Sequence, residues 1–153
     1  MAIFCSDCGS LISAESEMKC SMCGSSRIEQ EQMSKLANLF YGSMAMGGKA
    51  YLTSLGVCFH PHKICQNEED RYIRYEDIVK IEKCRTLGLV PNGVKLYDVQ
   101  GQVHQFVMWS RDEFIVRIAD EIERIKKLRN DEDRLKCLQT ACKNINSLQM
   151  LNG

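Results

Sequence analysis

Cys5-Ser6-Asp7-Cys8-Gly9-Ser10 and Cys20-Ser21-Met22-Cys23-Gly24-Ser25 are two near-copies of one string, and they decide how the chain begins to fold. Each copy places two thiols three residues apart and follows the second with a glycine, which suits a backbone turn with positive φ. Eleven residues separate the two pairs, enough for a short hairpin that brings one turn over the other. Four thiolates at tetrahedral corners are a ligand set that structural Zn²⁺ takes in proteins. The spacing therefore predicts one Zn²⁺ bound by Cys5, Cys8, Cys20 and Cys23.

All four ligands of this predicted centre are cysteines, so no position is left open for a water nucleophile and the metal is structural. Other uses of the cysteines fit the pattern less well. Disulfides need an oxidising compartment, and the start Met1-Ala2-Ile3-Phe4 has no charged segment followed by an apolar one, as a secretory signal would. A thioredoxin-like site uses a single Cys-x-x-Cys, and an iron–sulfur cluster is the remaining alternative. We interpret residues 1–28 as a zinc ribbon.

The composition is typical of a soluble globular protein, and the length leaves room for a second core after the ribbon. The 153 residues are 44% hydrophobic and 26% charged, and 20 basic side chains balance 20 acidic ones. No apolar run approaches the ~20 residues that a membrane-spanning helix needs. Nine cysteines without a secretory signal favour a reducing cytoplasm. Residues 1–28 carry two basic and three acidic side chains, so the ribbon lacks the basic face that nucleic-acid binding requires.

Periodicity divides the next part of the chain into a linker and a β-rich segment. Residues 29–41 predict a short amphipathic helix, because four apolar side chains follow helical spacing: Met33, Leu36, Ala37 and Phe40. The glycines between residues 42 and 48 predict a flexible loop, so that residues 29–48 tether the ribbon. Seven short segments between turn signals then predict an antiparallel sheet. These segments are Ala50–Thr53, Val57–His60, Tyr72–Tyr75, Ile78–Ile81, Leu87–Val90, Gly93–Val99 and Gln102–Met108.

Two helices are predicted to follow the sheet. Ser110 and Glu113 form a capping box at the start of the first helix. Its isoleucines recur every three or four residues and predict a seam on the open end of the sheet: Ile115, Ile118, Ile122 and Ile125. The run Asn130-Asp131-Glu132-Asp133 predicts a break, with a second helix over about residues 131–149. The apolar face of that second helix comprises Leu135, Leu138, Cys142, Ile145 and Leu148. We expect it to pack back against Met33, Leu36 and Phe40, with self-association of the tail as the alternative.

The order of motifs from residue 49 to residue 125 resembles that of GRAM and bacterial pleckstrin-homology-like domains. The resemblance covers about half of the chain. It rests on hydrophobic and turn positions, namely Tyr51-Leu52-Thr53, Phe59, Ile73-Arg74-Tyr75-Glu76-Asp77-Ile78, Ile81-Glu82, Gly101 and Phe106. It implies two near-orthogonal antiparallel sheets closed by a C-terminal helix, and binding of lipid head groups, peptides or partner domains without family-wide catalysis. Phosphoinositide-binding members carry Lys and Arg in the first strand–strand loop, whereas that loop here, Thr53-Ser54-Leu55-Gly56, has none.

Other chemistry-bearing residues do not form a recognisable site in the sequence. Cys58, His60, His62 and Cys65 have the residue types of a second metal site, but their spacing across a proline matches no familiar tetrahedral template. A strand end with one buried thiol is the commoner arrangement. Nothing in the sequence pairs Cys84 or Cys65 with His104 as nucleophile and base. Trp109, directly before the helix, is expected to cover the core.

Together these features predict an α+β protein in four parts. The parts are a zinc ribbon (1–28), a helical linker and loop (29–48), a GRAM/pleckstrin-like antiparallel half-barrel capped by a helix (49–129) and a helical tail (130–153). No glycine-rich phosphate loop, paired carboxylates or nucleophile elbow appears, so we expect no enzymatic activity. The predicted function is that of a cytoplasmic adaptor that recognises a protein partner. Membrane head-group binding by the pleckstrin-like domain is the alternative, and nucleic-acid contact by the ribbon is the third hypothesis.

Overall fold

The computed structural model describes residues 2–12, 19–62 and 69–151, and for the last five of these it describes the backbone only. The elements in these ranges are β1 Ile3–Cys5, β2 Leu11–Ile12, β3 Ile28–Gln30, β4 Met33–Tyr41, β5 Met44–Leu52, β6 Gly56–Pro61, β7 Arg71–Arg74, the 3-10 turn η1 Tyr75–Asp77, β8 Ile78–Thr86, β9 Val90–Asp98, β10 Val103–Val107 and α1 Arg111–Leu151. Within the described ranges, no helix has both the length and the apolarity that crossing a bilayer requires.

The first three strands form a small antiparallel sheet in the order β2-β1-β3. Ile3 pairs with Ile12 on one side of β1, and Cys5 pairs with Ile28 on the other. The first cysteine turn connects β1 to β2, and the second cysteine turn precedes β3. Central β1 therefore brings the two turns to one end of this sheet, which we call the N-terminal sheet.

The other seven strands form one antiparallel sheet in the order β7-β6-β5-β4-β10-β9-β8. Its edge strands, β7 and β8, are joined only by the three residues of η1. Because three residues span at most about 10 Å, the two edges meet at this corner and the sheet curls around its core. The larger fully buried side chains of that core are Leu39, Leu52, Val57, Phe59, Tyr75, Val94, Leu96 and Phe106. The predicted α+β class, a large antiparallel sheet with a C-terminal helix, is confirmed.

Residues 29–41 are mainly extended, so the predicted linker helix is wrong. β4 pairs with β5 at nine consecutive positions, from Met33 opposite Leu52 to Tyr41 opposite Met44. Burial in β4 alternates as in a strand, because Ala37 and Leu39 are buried. The backbone hydrogen bonds of this long pairing and the inward side chains outweigh the local helical spacing.

The predicted loop over residues 42–48 is largely strand. Only Gly42 and Ser43 turn the chain, and Gly42 has a φ of 65°. Gly48 lies inside β5, where a Cβ atom would meet the His60 carbonyl oxygen at 2.4 Å and Phe59 Cζ at 2.6 Å. The glycine therefore permits close approach of β6 rather than flexibility. The predicted strand over residues 87–90 is mostly a turn, and β4 takes its place as the seventh strand.

The predicted isoleucine seam of α1 is confirmed. Ile118 is fully buried in the core of the large sheet, and Ile115, Ile122 and Ile125 pack against that core partly buried. Phe114 is also fully buried and anchors the first turn. The helix begins directly after Ser110 as predicted, but Ser110 has a φ of 58° instead of the extended backbone of an N-cap.

The helix α1 continues unbroken to Leu151, so the predicted break after Asn130 and the separate tail helix are wrong. Asn and Asp cost a helix interior only about 0.7 kcal/mol each relative to Ala, and the run at 130–133 has no Gly or Pro to end the helix. The straight path carries the tail away from the sheet. Leu135, Leu138 and Ile145 remain 56%, 64% and 54% exposed, so their face does not pack back on β4.

We predict that Ile118→Ala lowers the free energy of unfolding by about 2–5 kcal/mol, because it leaves a cavity beneath α1. Lys126→Ala, on the exposed side of the same helix, should change that energy by less than about 0.5 kcal/mol. Urea unfolding followed by circular dichroism measures both values. Equal, small losses would show that the helix does not contribute to the core.

Candidate metal centre and binding surfaces

The two cysteine turns have the same backbone hydrogen bonds. The Gly9 amide donates to the Cys5 carbonyl at 2.9 Å, and the Gly24 amide donates to the Cys20 carbonyl at 2.8 Å. Both glycines are left-handed, with φ values of 75° and 76°. A residue with a side chain adopts this conformation only at a cost, so the glycine after each Cys-x-x-Cys is required by the turn. The sequence repeat is therefore also a structural repeat.

These turns bring four sulfur atoms together. The Cys5 and Cys23 Sγ atoms lie 3.5 Å apart, those of Cys8 and Cys20 lie 3.6 Å apart, and all four lie within 4.8 Å of one another. A disulfide needs an S–S distance of about 2.05 Å, so the thiols are free. Tetrahedral Zn–S bonds of about 2.3 Å give S–S edges of about 3.8 Å, which this set fits. Within the described ranges, these four are the one cluster of metal-ligating side chains.

The thiols compete for protons at these distances. Burial alone raises the pKa of Cys8, but its hydrogen bonds with Ser10 and the neighbouring thiols together lower it to about 6. The backbone of Ser25 lowers the pKa of Cys23, but the nearby Cys5 and the other thiols raise it to about 12. Ionisation of the Cys8 thiol is therefore favoured, whereas ionisation of the Cys23 thiol is disfavoured by the sulfur atoms around it. A bound cation would stabilise all four thiolates together.

Polar contacts also hold one turn to the other. Asp7, in the first turn, accepts hydrogen bonds from Ser25 Oγ and from Arg27 Nη1, the latter at 3.1 Å. The Met22 amide points at Cys20 Sγ, 3.4 Å away. A backbone N–H aimed at a ligating sulfur is part of the usual outer shell of a thiolate metal site.

The N-terminal sheet packs directly on the large sheet. The rings of Phe4 and Tyr51 lie 5.0 Å apart, and Phe4 is fully buried. Gly9 lies against Tyr72, because a Cβ atom at Gly9 would be 2.2 Å from Tyr72 Cγ. The candidate metal centre is therefore attached through side-chain contacts and not by a tether alone.

We predict that Gly9→Ala destabilises the protein more than Gly24→Ala. Alanine at either left-handed position costs about 1–2 kcal/mol of backbone strain. At Gly9 the new Cβ also collides with the Tyr72 ring, whereas at Gly24 it meets nothing within 4 Å. The collision adds about 1–3 kcal/mol to the cost. Urea unfolding of the two variants compares them, and equal losses would contradict the contact between the first turn and Tyr72.

The other suspected sites are not assembled by the described residues. Cys58 is fully buried in β6, where burial and, secondarily, Asp70 raise its thiol pKa to about 12. His60 Nδ1 is hydrogen-bonded to Asp70, His62 is exposed, and Cys65 lies outside the described residues. Cys84 Sγ lies 3.8 Å from Gln105 Nε2, which gives it no base.

His104 belongs to a polar cluster that the sequence did not predict. A cavity of about 510 Å³, between the β4–β5 and β9–β10 turns, is lined by Arg71, Asp77, Asp98 and His104 among others. Arg71 Nη1 lies 3.4 Å from His104 Nδ1, and His104 Nε2 donates to Asp98 at 2.9 Å. That hydrogen bond lowers the pKa of Asp98. No periodic signal links residues 71 and 104, which lie on β7 and β10, with three strands between them in the order of the sheet. The curl of the sheet brings them together.

Trp109 does not cover the core, and the prediction that it would is wrong. The adjacent Met108 occupies the core position, 3% exposed, so Trp109 points outward and is 80% exposed. It borders a groove of about 330 Å³ on the outer face of the large sheet. Leu36, 69% exposed, forms part of the same groove, and Asn38, Asn92 and His62 add polar atoms.

A second apolar surface lies at the tip of the β8–β9 hairpin. Leu87 is 92% exposed and Leu89 is 81% exposed, on a turn in which Leu87 and Gly88 have φ values of 54° and 71°. The Leu-Gly-Leu pattern suggested a strand, but Gly88 marks the tip. An exposed pair of leucines on a tight turn is a candidate contact surface.

Similar folds occur in solved structures at low sequence identity. The Vps36 N-terminal PH domain matches with a TM-score of 0.53 and 14% identity, over 83% of this chain and 95% of that domain. The C-terminal domain of an unknown protein from Leishmania infantum matches with a TM-score of 0.54 and 16% identity, over 61% of this chain and 84% of that one. No protein-family model and no curated protein sequence matches the chain. With its curled seven-stranded sheet and C-terminal helix, the chain has a pleckstrin-homology-like fold.

Proposed function

We propose that the chain is a non-enzymatic adaptor, in which a zinc ribbon and a GRAM/pleckstrin-like domain present one surface to a protein partner. The observation that supports this proposal most directly is the groove beside Trp109. Binding modules with this fold have no shared catalytic residues, so the recognition surface defines the activity. We place the protein in a reducing compartment such as the cytoplasm, where thiolates remain available to the metal.

The groove beside Trp109 has the composition of a protein-binding hot spot. Trp109 and Leu36 supply exposed apolar area, while Ala37 and Met108, both buried, are part of the lining. Asn38 supplies an amide at the rim. Tryptophan is enriched at the centres of protein interfaces, and polar groups surround such centres. The occupant is therefore a partner segment that places an apolar side chain between Trp109 and Leu36.

The polar cavity suits an anionic head group less well. Its lining contains the carboxylates of Asp77 and Asp98 beside the single guanidinium of Arg71. Arg71 also stacks on the Tyr41 ring, 4.4 Å from its centroid. The structure begins the large sheet at β4, so the first strand–strand turn is Gly42-Ser43 and not Thr53–Gly56. Neither turn carries a basic residue, so both placements argue against phosphoinositide binding at that turn.

Membrane contact through the hairpin tip is the second candidate. Leu87 and Leu89 are exposed there, and Arg85 lies two residues before Leu87. Apolar side chains beside a cation are the combination that inserts shallowly into an anionic bilayer surface. Nucleic-acid contact by the ribbon has less support, because Arg27 is paired with Asp7 at 3.1 Å.

We predict that each chain binds one Zn²⁺, which mass spectrometry of the purified protein can count. Cys20→Ser should abolish stoichiometric zinc, because it removes one of four ligands. Cys137→Ser, on the exposed part of α1, should keep it. The large sheet should still unfold cooperatively in Cys20→Ser, because its core is separate from the small cluster around Cys5 and Ile12. Zinc-free native protein, or two ions per chain, would contradict the proposed single centre.

We predict that Trp109→Ala weakens partner binding about 30-fold, the loss typical of a hot-spot residue worth about 2 kcal/mol. The partner is identified by photocrosslinking from residue 109 of the full chain and then purified for titration. Leu87→Ser is the matched control, since it removes an exposed apolar side chain at the hairpin tip. It should change the dissociation constant less than about threefold.

Vesicles of phosphatidylcholine and phosphatidylserine separate the two candidate functions. The protein should remain in the supernatant after co-sedimentation, with or without the Leu87→Ser change. Binding to the vesicles that is lost in Leu87→Ser and kept in Trp109→Ala would replace the adaptor proposal with the membrane one.

A further inference from the structure

No described part of the chain outside α1 covers the outer part of this helix. Arg129 Nη2 contacts Glu76 at 2.7 Å near the edge of the domain. From residue 130 to residue 146, every side chain is exposed. An isolated helical segment of this length is only marginally stable in water, because most helical stability in proteins comes from packing of an apolar face. The extended tail therefore calls for a partner.

The apolar side chains of this segment follow a seven-residue repeat. Leu128, Leu135 and Cys142 are spaced by seven residues, and Leu138 and Ile145 are spaced by seven between them. The two sets alternate at intervals of three and four, as the a and d positions of a coiled coil do. Leu128, Leu135, Leu138 and Ile145 are each between 52% and 64% exposed. We call this row of a and d positions the seam. Between Leu128 and Ile145 it is apolar except at Asp131, the first d position.

We propose that this segment of α1 pairs with the same segment of a second copy, as a parallel, in-register, two-stranded coiled coil over residues 127–149. The inference goes beyond the adaptor function and does not depend on it.

One pair of opposite charges favours a second copy in the parallel orientation, and it offsets the like charges of Asp131, which faces Asp131 of the second copy at position d. With Leu128 at position a, Lys127 occupies position g and Glu132 occupies position e. In a parallel dimer, a g side chain meets the e side chain five residues later on the partner helix. Lys127 of each copy therefore faces Glu132 of the other. In the antiparallel orientation, g positions face g positions, and these hold Lys127, Arg134 and Ala141. That arrangement supplies no opposite charge.

The position of the seam on the helix leaves room for the second copy. At ~100° per residue, the centre of the a and d positions lies roughly 120° around the helix from the face that packs on the sheet. That sheet-facing side is occupied by Phe114, Ile118 and Ile122. The second helix therefore approaches from the side away from the domain, and the two domains do not compete for the same space.

Sedimentation equilibrium of the full chain tests the association. The protein should be a dimer, and Leu138→Asp should weaken the dimer at least tenfold by placing a charge in the seam. Lys136→Asp is the matched control: it lies two residues away, outside the a and d positions, and makes the larger change in charge. Lys127→Glu should weaken the dimer, and adding Glu132→Lys should restore it. A monomer at 100 μM, or equal weakening by Leu138→Asp and Lys136→Asp, would overturn the proposal.

Two cysteines on the same helix test the orientation. In the parallel, in-register dimer, Cys142 at position a faces Cys142 of the second copy, whereas Cys137 at position c points outward. A short bismaleimide should therefore give a covalent dimer of the wild-type chain and of Cys137→Ser, but not of Cys142→Ser. Peptide mapping should find the link between two Cys142 peptides. A dimer without this link, or one joined through Cys137, would overturn the parallel arrangement.

Discussion

The turn Thr53–Gly56 is the point on which the three parts of the structure converge. The buried Tyr75 hydroxyl, from the 3-10 turn that closes the sheet, donates to the Thr53 carbonyl at 2.9 Å. The Glu29 carboxylate, from the N-terminal sheet, accepts from the Ser54 amide and hydroxyl. Arg124 Nη2, from α1, donates to the Ser54 carbonyl at 2.7 Å. Leaving the buried Tyr75 hydroxyl without a partner would cost about 1–3 kcal/mol. The contacts of Glu29 are partly buried and that of Arg124 is exposed, and they hold the N-terminal sheet and the helix to the same turn.

Features set by residues close in sequence could be predicted, and features set by distant pairing could not. The glycine turns after Cys8 and Cys23 follow from local spacing, and the sheet-facing isoleucines of α1 follow from local periodicity. Residues 33–41 have helical spacing, yet they form a strand because they pair with β5. That partner strand could not be predicted, because its glycines suggested a loop. At Gly48, the reason for glycine is the nearby backbone of β6, which no local window of sequence contains.

The same distinction applies to the candidate sites. The clustering of the four cysteines was predictable, because two short repeats encode the two turns that bring them together. Trp109 was assigned to the core from its position before the helix, yet strand alternation after the buried Met108 places it outside. The continuity of α1 was missed for a different reason. Capping residues such as Asn130 favour a helix end without enforcing one, and the absence of Gly and Pro was the stronger signal.

The four-cysteine cluster, through Tyr72, is next to the polar cavity. One side of the Tyr72 ring meets Gly9 of the first cysteine turn, and the same residue lines the cavity that contains Arg71 and His104. Because a guanidinium only donates hydrogen bonds, His104 Nδ1 accepts from Arg71 and Nε2 carries the proton given to Asp98. The cavity wall therefore depends on the N-terminal sheet and its first cysteine turn being in place. The first cysteine turn thus contacts the large sheet through one aromatic ring. The groove at Trp109 is lined by residues of β4, β5, β9 and β10 and by His62, Met108 and Trp109, and by none of the residues described in the N-terminal sheet.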